Sequence, residues 1–494
     1  MSWSSTRLVG SALTFRSILS VGALVLLATG FVTSPSAAEE NVVTKAEGSE
    51  TSVPKADGAD SSAPKPDAIA PSNPATTAPA TTGTGSSPAP VNPVNVANPN
   101  PKSDCNVELP PYRFPYKNGL YATIAGFTAL KDIELRNVRQ LRLSVDGFRR
   151  PMPVRAIIQN KPAPLVVVLM GIDGKADGKL GKLWPAWFEN NGYHVLTFDS
   201  TFLPNFISYS GHGVTGNLAV ESERVGQVIA SFLKYGEMKA KVTQIGVVGM
   251  SYGGLEAMVL GQMSKEGRLP FQIDAIQAYS PPIRLHHTGE LIDQWYEEDR
   301  WNYTLVELAD KLSGHKPVSP ESPVPFSDSL MRAGISAIFH LGLADVVMKN
   351  DSDYKLHLLP VGNQFDDQYV KQDYAETWGY ARFMKEMCYP YWQRKQNLSS
   401  VSEMTDPIDL CNLVQKQGGN SEVIIAEDDP FNMPEDLADL RSCSPTAKIT
   451  YLPTGGHLGF VSDPWTKAKL LSVFKCLPST EVAPAPTPES DAHR

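Results

Sequence analysis

The sequence predicts an α/β fold, a mostly parallel sheet with helices on both faces, and three observations carry that prediction. From residue 138 onward, short β-branched runs alternate with helix-compatible segments, the pattern of parallel strands joined by crossover helices. Residues 165–170, Leu-Val-Val-Val-Leu-Met, form an unbroken apolar run, as a strand buried on both faces requires. Residues 245–248 lead through Gly249-Met250-Ser251-Tyr252-Gly253 into the helix-compatible stretch 255–263. That is a sharp strand-to-helix turn with a serine at its apex.

Each element can be read in order. Residues 138–145 and 154–159 alternate as an antiparallel pair, followed by the strand at 165–170. A helix is expected at 184–191, a strand at 195–198 and an amphipathic helix over Leu218–Lys234. The strand before Ser251 follows, then strands at 273–278, Ser421–Ala426 and Lys448–Leu452. Residues 281–418 are far more chain than one connection needs, and long excursions of this kind are usually functional. The segment is rich in aromatics, among them Trp295, Tyr296, Trp301, Tyr303, Trp378, Tyr380, Tyr389, Tyr391 and Trp392. They read either as an apolar roof over a site or, for most of them, as a small core of the inserted segment itself. Residues 337–345 read as strand-like, ending in Asp345.

The chemistry concentrates at strand ends. Ser251 reads as a nucleophile, and Gly249 and Gly253 flank it where a Cβ would clash with the neighbouring strand and helix. Tyr252 opens the helix, so its amide has no intrahelical acceptor and points where a reacting oxygen could sit. An acid and a histidine follow in the order such a turn demands. Asp429 lies just beyond the strand Ser421–Ala426, and His457 sits in Gly455-Gly456-His457-Leu458-Gly459, 28 residues further on. His457 would take the serine proton while the acid holds its tautomer and stabilises the imidazolium. Asp428 and then Asp345 are the rival acids, but Asp345 leaves too much chain before His457 for one helix and one strand.

On the motifs at 249–253, 428–430 and 455–460 the chain resembles the alpha/beta-hydrolase superfamily, and the last two look most like its carboxylesterase branch. The resemblance spans about residues 138–477 and implies an eight-stranded sheet, a large inserted lid, and ester or thioester hydrolysis without a cofactor. It also implies that the Ile172 amide, in the loop after the 165–170 strand, joins that of Tyr252 in holding the oxyanion. The chain departs from the pattern in carrying Met170-Gly171 where histidine-glycine is common.

The ends read differently. Residues 1–38 have basic Arg7 and Arg16, an apolar run at 18–32 and a small-residue Ser36-Ala37-Ala38 site, the plan of a signal peptide, with an uncleaved anchor as the alternative. No other segment reads as a membrane span. Residues 39–104 and 478–494 are rich in Pro, Ala, Thr and Ser and read as a disordered linker and tail. The remaining segments are a core in two parts, 105–280 and 419–477, around the insertion 281–418.

Five cysteines, Cys105, Cys388, Cys411, Cys443 and Cys476, lack any C-x-x-C pair. In an oxidising compartment they predict one or two disulfides. Cys388 with Cys411 and Cys443 with Cys476 are the pairs nearest in sequence, with connectivity open. The formal charge of −9 becomes −11 once Arg7 and Arg16 are removed, which argues against nucleic acid and anionic membrane surfaces as partners of the folded body. Asn350-Asp351-Ser352-Asp353 and His286-His287 are incomplete as metal sites, so neither metal nor cofactor is expected. The reading is a secreted or periplasmic serine hydrolase acting on a small-molecule or acyl substrate. The alternatives are a serine peptidase or amidase of the same fold, and a non-catalytic envelope binding protein.

Overall fold

The computed structural model describes residues 94–95, 108–128, 130–299, 326–361, 367–417, 420–443 and 448–474. The expected leader and tail, the 39–104 linker apart from 94–95, Cys105, Cys476, Trp301 and Tyr303 lie outside the described residues. The strands are β1 (Val94–Asn95), β2 (Val138–Leu143), β3 (Met152–Ile157), β4 (Ala163–Leu169), β5 (His194–Thr197), β6 (Val242–Met250), β7 (Ala275–Tyr279), β8 (Ser421–Ala426) and β9 (Lys448–Leu452). They form one nine-stranded sheet in the order β1-β9-β8-β7-β6-β4-β5-β3-β2. Strands β2 to β9 are the eight expected, and β1 adds a two-residue antiparallel edge on β9. Pairs β2–β3 and β3–β5 are antiparallel, whereas β5–β4, β4–β6, β6–β7, β7–β8 and β8–β9 are parallel. The chain leaves β5 on one side of β4 and returns as β6 on the other. Parallel sheets open a crevice at the carboxyl ends of their strands beside such a reversal.

The two-residue period of a strand explains the layering. Leu165, Val167 and Leu169 of β4 join one core, while Val166, Val168 and the following Met170 join the other. Helices supply the facing surfaces. They include α1 (Gly119–Thr128), α2 (Lys179–Asn190), α3 (Leu218–Lys234), α4 (Tyr252–Lys265), α5 (Leu285–Asp299), α6 (Asp328–Tyr354), α7 (Leu410–Gln417), α8 (Pro434–Cys443) and α9 (Pro464–Leu470). Val225, Val228, Ile229 and Phe232 of α3 enter the first core, and Trp184 and Phe188 of α2 enter the second. Complete burial of each such side chain contributes about 1.5–3 kcal/mol.

The inserted segment corrects two expectations. Residues 337–345 are not a strand; they lie in the middle of α6. A continuous apolar run does not distinguish strand from helix, and here burial recurs three and four residues apart, at Leu330, Ala333, Ala337, His340, Ala344 and Val347. Ser327 caps the helix by accepting from the Leu330 amide at 3.2 Å. Asp345 is therefore a mid-helix residue rather than a strand-end acid. Among the described residues, α6 is also a helix long and apolar enough to cross a membrane by length and composition, and 67% of its apolar window is buried in the protein. The expectation that no segment beyond the leader passes that test does not hold. Among the described aromatics of the segment, Trp295, Trp378, Tyr380 and Trp392 belong to the main core and Tyr389 and Tyr391 pack against it, and Trp392 Nε1 donates to the Val214 carbonyl at 2.8 Å.

The cysteine pairing also differs from the sequence-nearest one. Cys411 on α7 is bonded to Cys443 at the end of α8, with Cα atoms 5.8 Å apart, because α7 and α8 flank β8 and pack against each other. Cys388 is a free, buried thiol.

Candidate active site

Ser251 follows the last residue of β6 and precedes the first residue of α4, with φ 53° and ψ −123°. That strained conformation is held by a hydrogen bond from its amide to the Tyr279 carbonyl at 2.8 Å. The flanking glycines are a steric requirement. A Cβ on Gly249 would lie 2.0 Å from the Gly253 carbonyl oxygen, and one on Gly253 would lie 2.4 Å from that of Met170.

His457 is brought to the serine by the loop after β9. Its Nε2 is 2.9 Å from Ser251 Oγ, and its Nδ1 is 2.9 Å from Asp429 Oδ2 and 3.2 Å from Oδ1. Asp429 is 2% exposed and also accepts from the Phe431 amide at 3.0 Å, which fixes the carboxylate plane. The chain therefore brings together Ser251, His457 and Asp429. The two rival acids lie elsewhere. Asp428 Oδ1 accepts from the Gly456 amide at 2.8 Å while Oδ2 is buried without a partner. Burial, with the neighbouring Asp429 charge, pushes its pKa up to about 6 against the backbone hydrogen bonds that pull it down. It ties down the histidine loop and does not touch the ring. Asp345 on α6 makes no contact with His457; its carboxyl faces Asp173 and Lys175.

The remaining expected residues are close by. The Tyr252 and Ile172 amides have no acceptor among the described residues. The loop bearing Ile172 lies against the serine, where a Cβ on Gly171 would stand 3.3 Å from Ser251 Cβ and 3.8 Å from Oγ. An imidazole bridging a hydroxyl and a carboxylate, beside free backbone donors, has the parts needed to deprotonate the hydroxyl and hold a developing oxyanion.

Sequence reading missed several contributors. Phe431 packs edge-on against the His457 ring at 4.5 Å between centroids, and itself stacks on Trp295 at 5.7 Å. Thr123 accepts from the His457 amide, and Tyr112 donates to the Thr454 carbonyl at 2.7 Å. Glu221 holds the Tyr252 hydroxyl from below. A usable signal existed only for α1. Asn118 precedes its apolar stretch and accepts from the Tyr121 amide at 3.0 Å as an N-cap. The metal readings resolve into protein contacts: Asn350 accepts from the Thr215 amide at 3.2 Å, and His287 Nδ1 lies 2.9 Å from Asp436.

The strand order, with its reversal at β4 and a strained serine between β6 and α4, is the alpha/beta-hydrolase fold. No protein-family model matches the chain, and no curated protein matches it in sequence. Among solved structures it is similar to an esterase of Pyrococcus furiosus, at 14% identity and a TM-score of 0.38 over 69% of this chain and 96% of that one. It is also similar to the alpha/beta hydrolase GrgF of Penicillium sp., at 15% identity and a TM-score of 0.36 over 68% and 98%. A third is a membrane phospholipase A described as a bacterial virulence factor, at 14% identity and a TM-score of 0.37 over 72% and 87%. Likenesses this distant carry nothing about substrate.

Proposed function

We propose that this protein is a serine hydrolase that cleaves carboxylic esters or thioesters through an acyl-enzyme. The observation that carries the proposal is the continuous hydrogen-bonded chain from Ser251 Oγ through His457 to Asp429, with both bridging distances at 2.9 Å. His457 removes the Ser251 proton as Oγ attacks the acyl carbon, and Asp429 stabilises the imidazolium that forms. The tetrahedral oxyanion is held by the Tyr252 and Ile172 amides, each worth on the order of 3 kcal/mol to the transition state. The imidazolium then protonates the departing alcohol or thiol. A water molecule, deprotonated by His457, releases the acid and restores Ser251. An extracytoplasmic location is part of the reading, supported by the Cys411–Cys443 disulfide and the leader-like residues 1–38.

The test is pre-steady-state turnover of a p-nitrophenyl ester followed by intact-mass analysis. A stoichiometric burst with the acyl mass on the peptide containing Ser251 is expected. Turnover that persists undiminished in Ser251→Ala would end the covalent scheme. The ratio of kcat/KM for matched ester and amide substrates then separates esterase from amidase.

A further inference from the structure

Helix α1 lies directly on the backbone of the histidine loop. A Cβ on Gly126 would stand 2.3 Å from Gly459 Cα, one on Gly119 1.8 Å from the Asp428 carbonyl oxygen, and one on Gly456 2.2 Å from the Gly119 carbonyl oxygen. Such approach is open only to glycine, and here it is used on both sides of one interface. The loop itself turns through left-handed conformations at Gly456 (φ 56°) and Leu458 (φ 60°). That bend leaves the His457 amide with no backbone acceptor among the described residues.

Thr123 fills that gap. It is 3% exposed. Its hydroxyl donates to the Gly119 carbonyl at 2.7 Å and accepts from the His457 amide at 2.8 Å. A hydroxyl has one proton, and spending it on the helix's own carbonyl turns the lone pairs toward the loop. On its other side α1 packs Tyr121 and Ala125 against Met331 of α6, and Asn118 Nδ2 donates to Asp328 Oδ1 at 3.2 Å. The helix is held between the inserted segment and the loop, in a position to fix the loop's height above Ser251.

We infer that α1 is a clamp on the histidine loop and that Thr123 is a positioning residue for His457. The inference rests on the proposed role of His457 as the base. Thr123 touches neither substrate nor the imidazole; it sets where the residue 457 backbone lies, and through it the separation of Nε2 from Ser251 Oγ. A displacement of about 1 Å in such a pair lowers turnover by up to about a hundredfold.

The experiment compares wild type, Thr123→Val and Thr123→Ser by ester kinetics and by hydrogen exchange of the peptide covering residues 453–460. Valine keeps the shape and removes the acceptor, whereas serine keeps the acceptor. Thr123→Val is expected to lower kcat by about 10- to 100-fold with KM within about twofold, and to speed exchange in that peptide. Thr123→Ser is expected to restore both, with kcat within about threefold of wild type. Thr123→Ala takes the place of the valine variant if that protein does not fold. Unchanged exchange and unchanged kcat in Thr123→Val would overturn the inference, as would a serine variant no better than the valine one. Exchange does not depend on catalysis. If wild type proved inert toward esters, the serine-hydrolase reading would fall, and protection lost in valine but kept in serine would still establish the clamp.

Discussion

The Tyr252 hydroxyl lies 2.5 Å from Glu221 Oε2, which ties the residue after Ser251 to helix α3. Glu221 is fully buried and also accepts from Thr215 Oγ1 at 2.8 Å, the Gly216 amide at 2.6 Å and Thr201 Oγ1 at 3.1 Å. Thr201 Oγ1 lies 2.5 Å from Glu256 Oε1 as well. One hydroxyl proton cannot serve two carboxylates, so one of the two carboxyls must carry a proton. Glu221 already accepts from Tyr252, Thr215 and Gly216, which assigns the proton to Glu256, donating to Thr201, which donates to Glu221. Burial raises both carboxyls, Glu256 well above its usual range, while four hydrogen bonds pull Glu221 back.

From that assignment, Glu256→Gln should change stability by less than about 1 kcal/mol, because an amide N–H can replace the acid proton. Glu221→Gln should lose about 2–4 kcal/mol, since it sets an NH₂ group against hydroxyl donors in a buried site. Urea unfolding of the two variants checks this. The reverse order of stabilities would refute the proton assignment.

Adjacent aspartates should differ sharply in turnover. Asp429→Asn is expected to lower kcat by about 10³- to 10⁴-fold, because the amide presents the wrong partner to His457 Nδ1. Asp428→Asn keeps an acceptor for the Gly456 amide and should stay within about tenfold of wild type. Steady-state kinetics on one ester substrate decides it, and equal losses in both variants would count against the division of roles.

Asp173, next to Ile172, gives a pH dependence with a definite sign. Helix α6 passes over its carboxyl at Gly342, where a Cβ would lie 2.6 Å from Oδ1. Burial and then the Asp345 charge push its pKa up to about 7, with Lys175 pulling the other way. The unfolded value is about 3.9, so the folded protein holds this proton more tightly. The stabilisation is complete below about pH 4 and is lost as pH rises through about 7. Asp173→Asn should flatten the decline of Tm between about pH 4 and 7. Parallel Tm curves for variant and wild type would show that Asp173 does not titrate in this way.

Much of this was legible because strands and turns leave local marks. The Leu218–Lys234, Ser421–Ala426 and Lys448–Leu452 elements lie where pattern places them, since each has one period and clear punctuation. Residues 337–345 misled because a buried helix and a buried strand are both continuously apolar. Spacing set Asp345 aside but left Asp428 beside Asp429, and only the folded chain separates the oxygen that meets the imidazole from the one that meets a backbone amide. Thr123 and Phe431 were invisible for a different reason. Each acts across long sequence separation, Thr123 on a loop 334 residues away, and neither belongs to a motif.

The disulfide closes a stretch of 32 residues around β8. By chain entropy it should stabilise the fold by about 3–4 kcal/mol. Cys411→Ser with Cys443→Ser should lower Tm accordingly, measured against wild type by calorimetry. Cys388 is fully buried and burial raises its thiol pKa, so it should resist thiol reagents until the protein unfolds.

The most direct test of the central claim is covalent labelling by a fluorophosphonate probe, read by peptide mass spectrometry. Labelling of wild type at Ser251, its loss in Ser251→Ala and its strong suppression in His457→Ala are predicted. A folded wild-type protein that takes up no probe, or takes it up at another residue, would contradict the account.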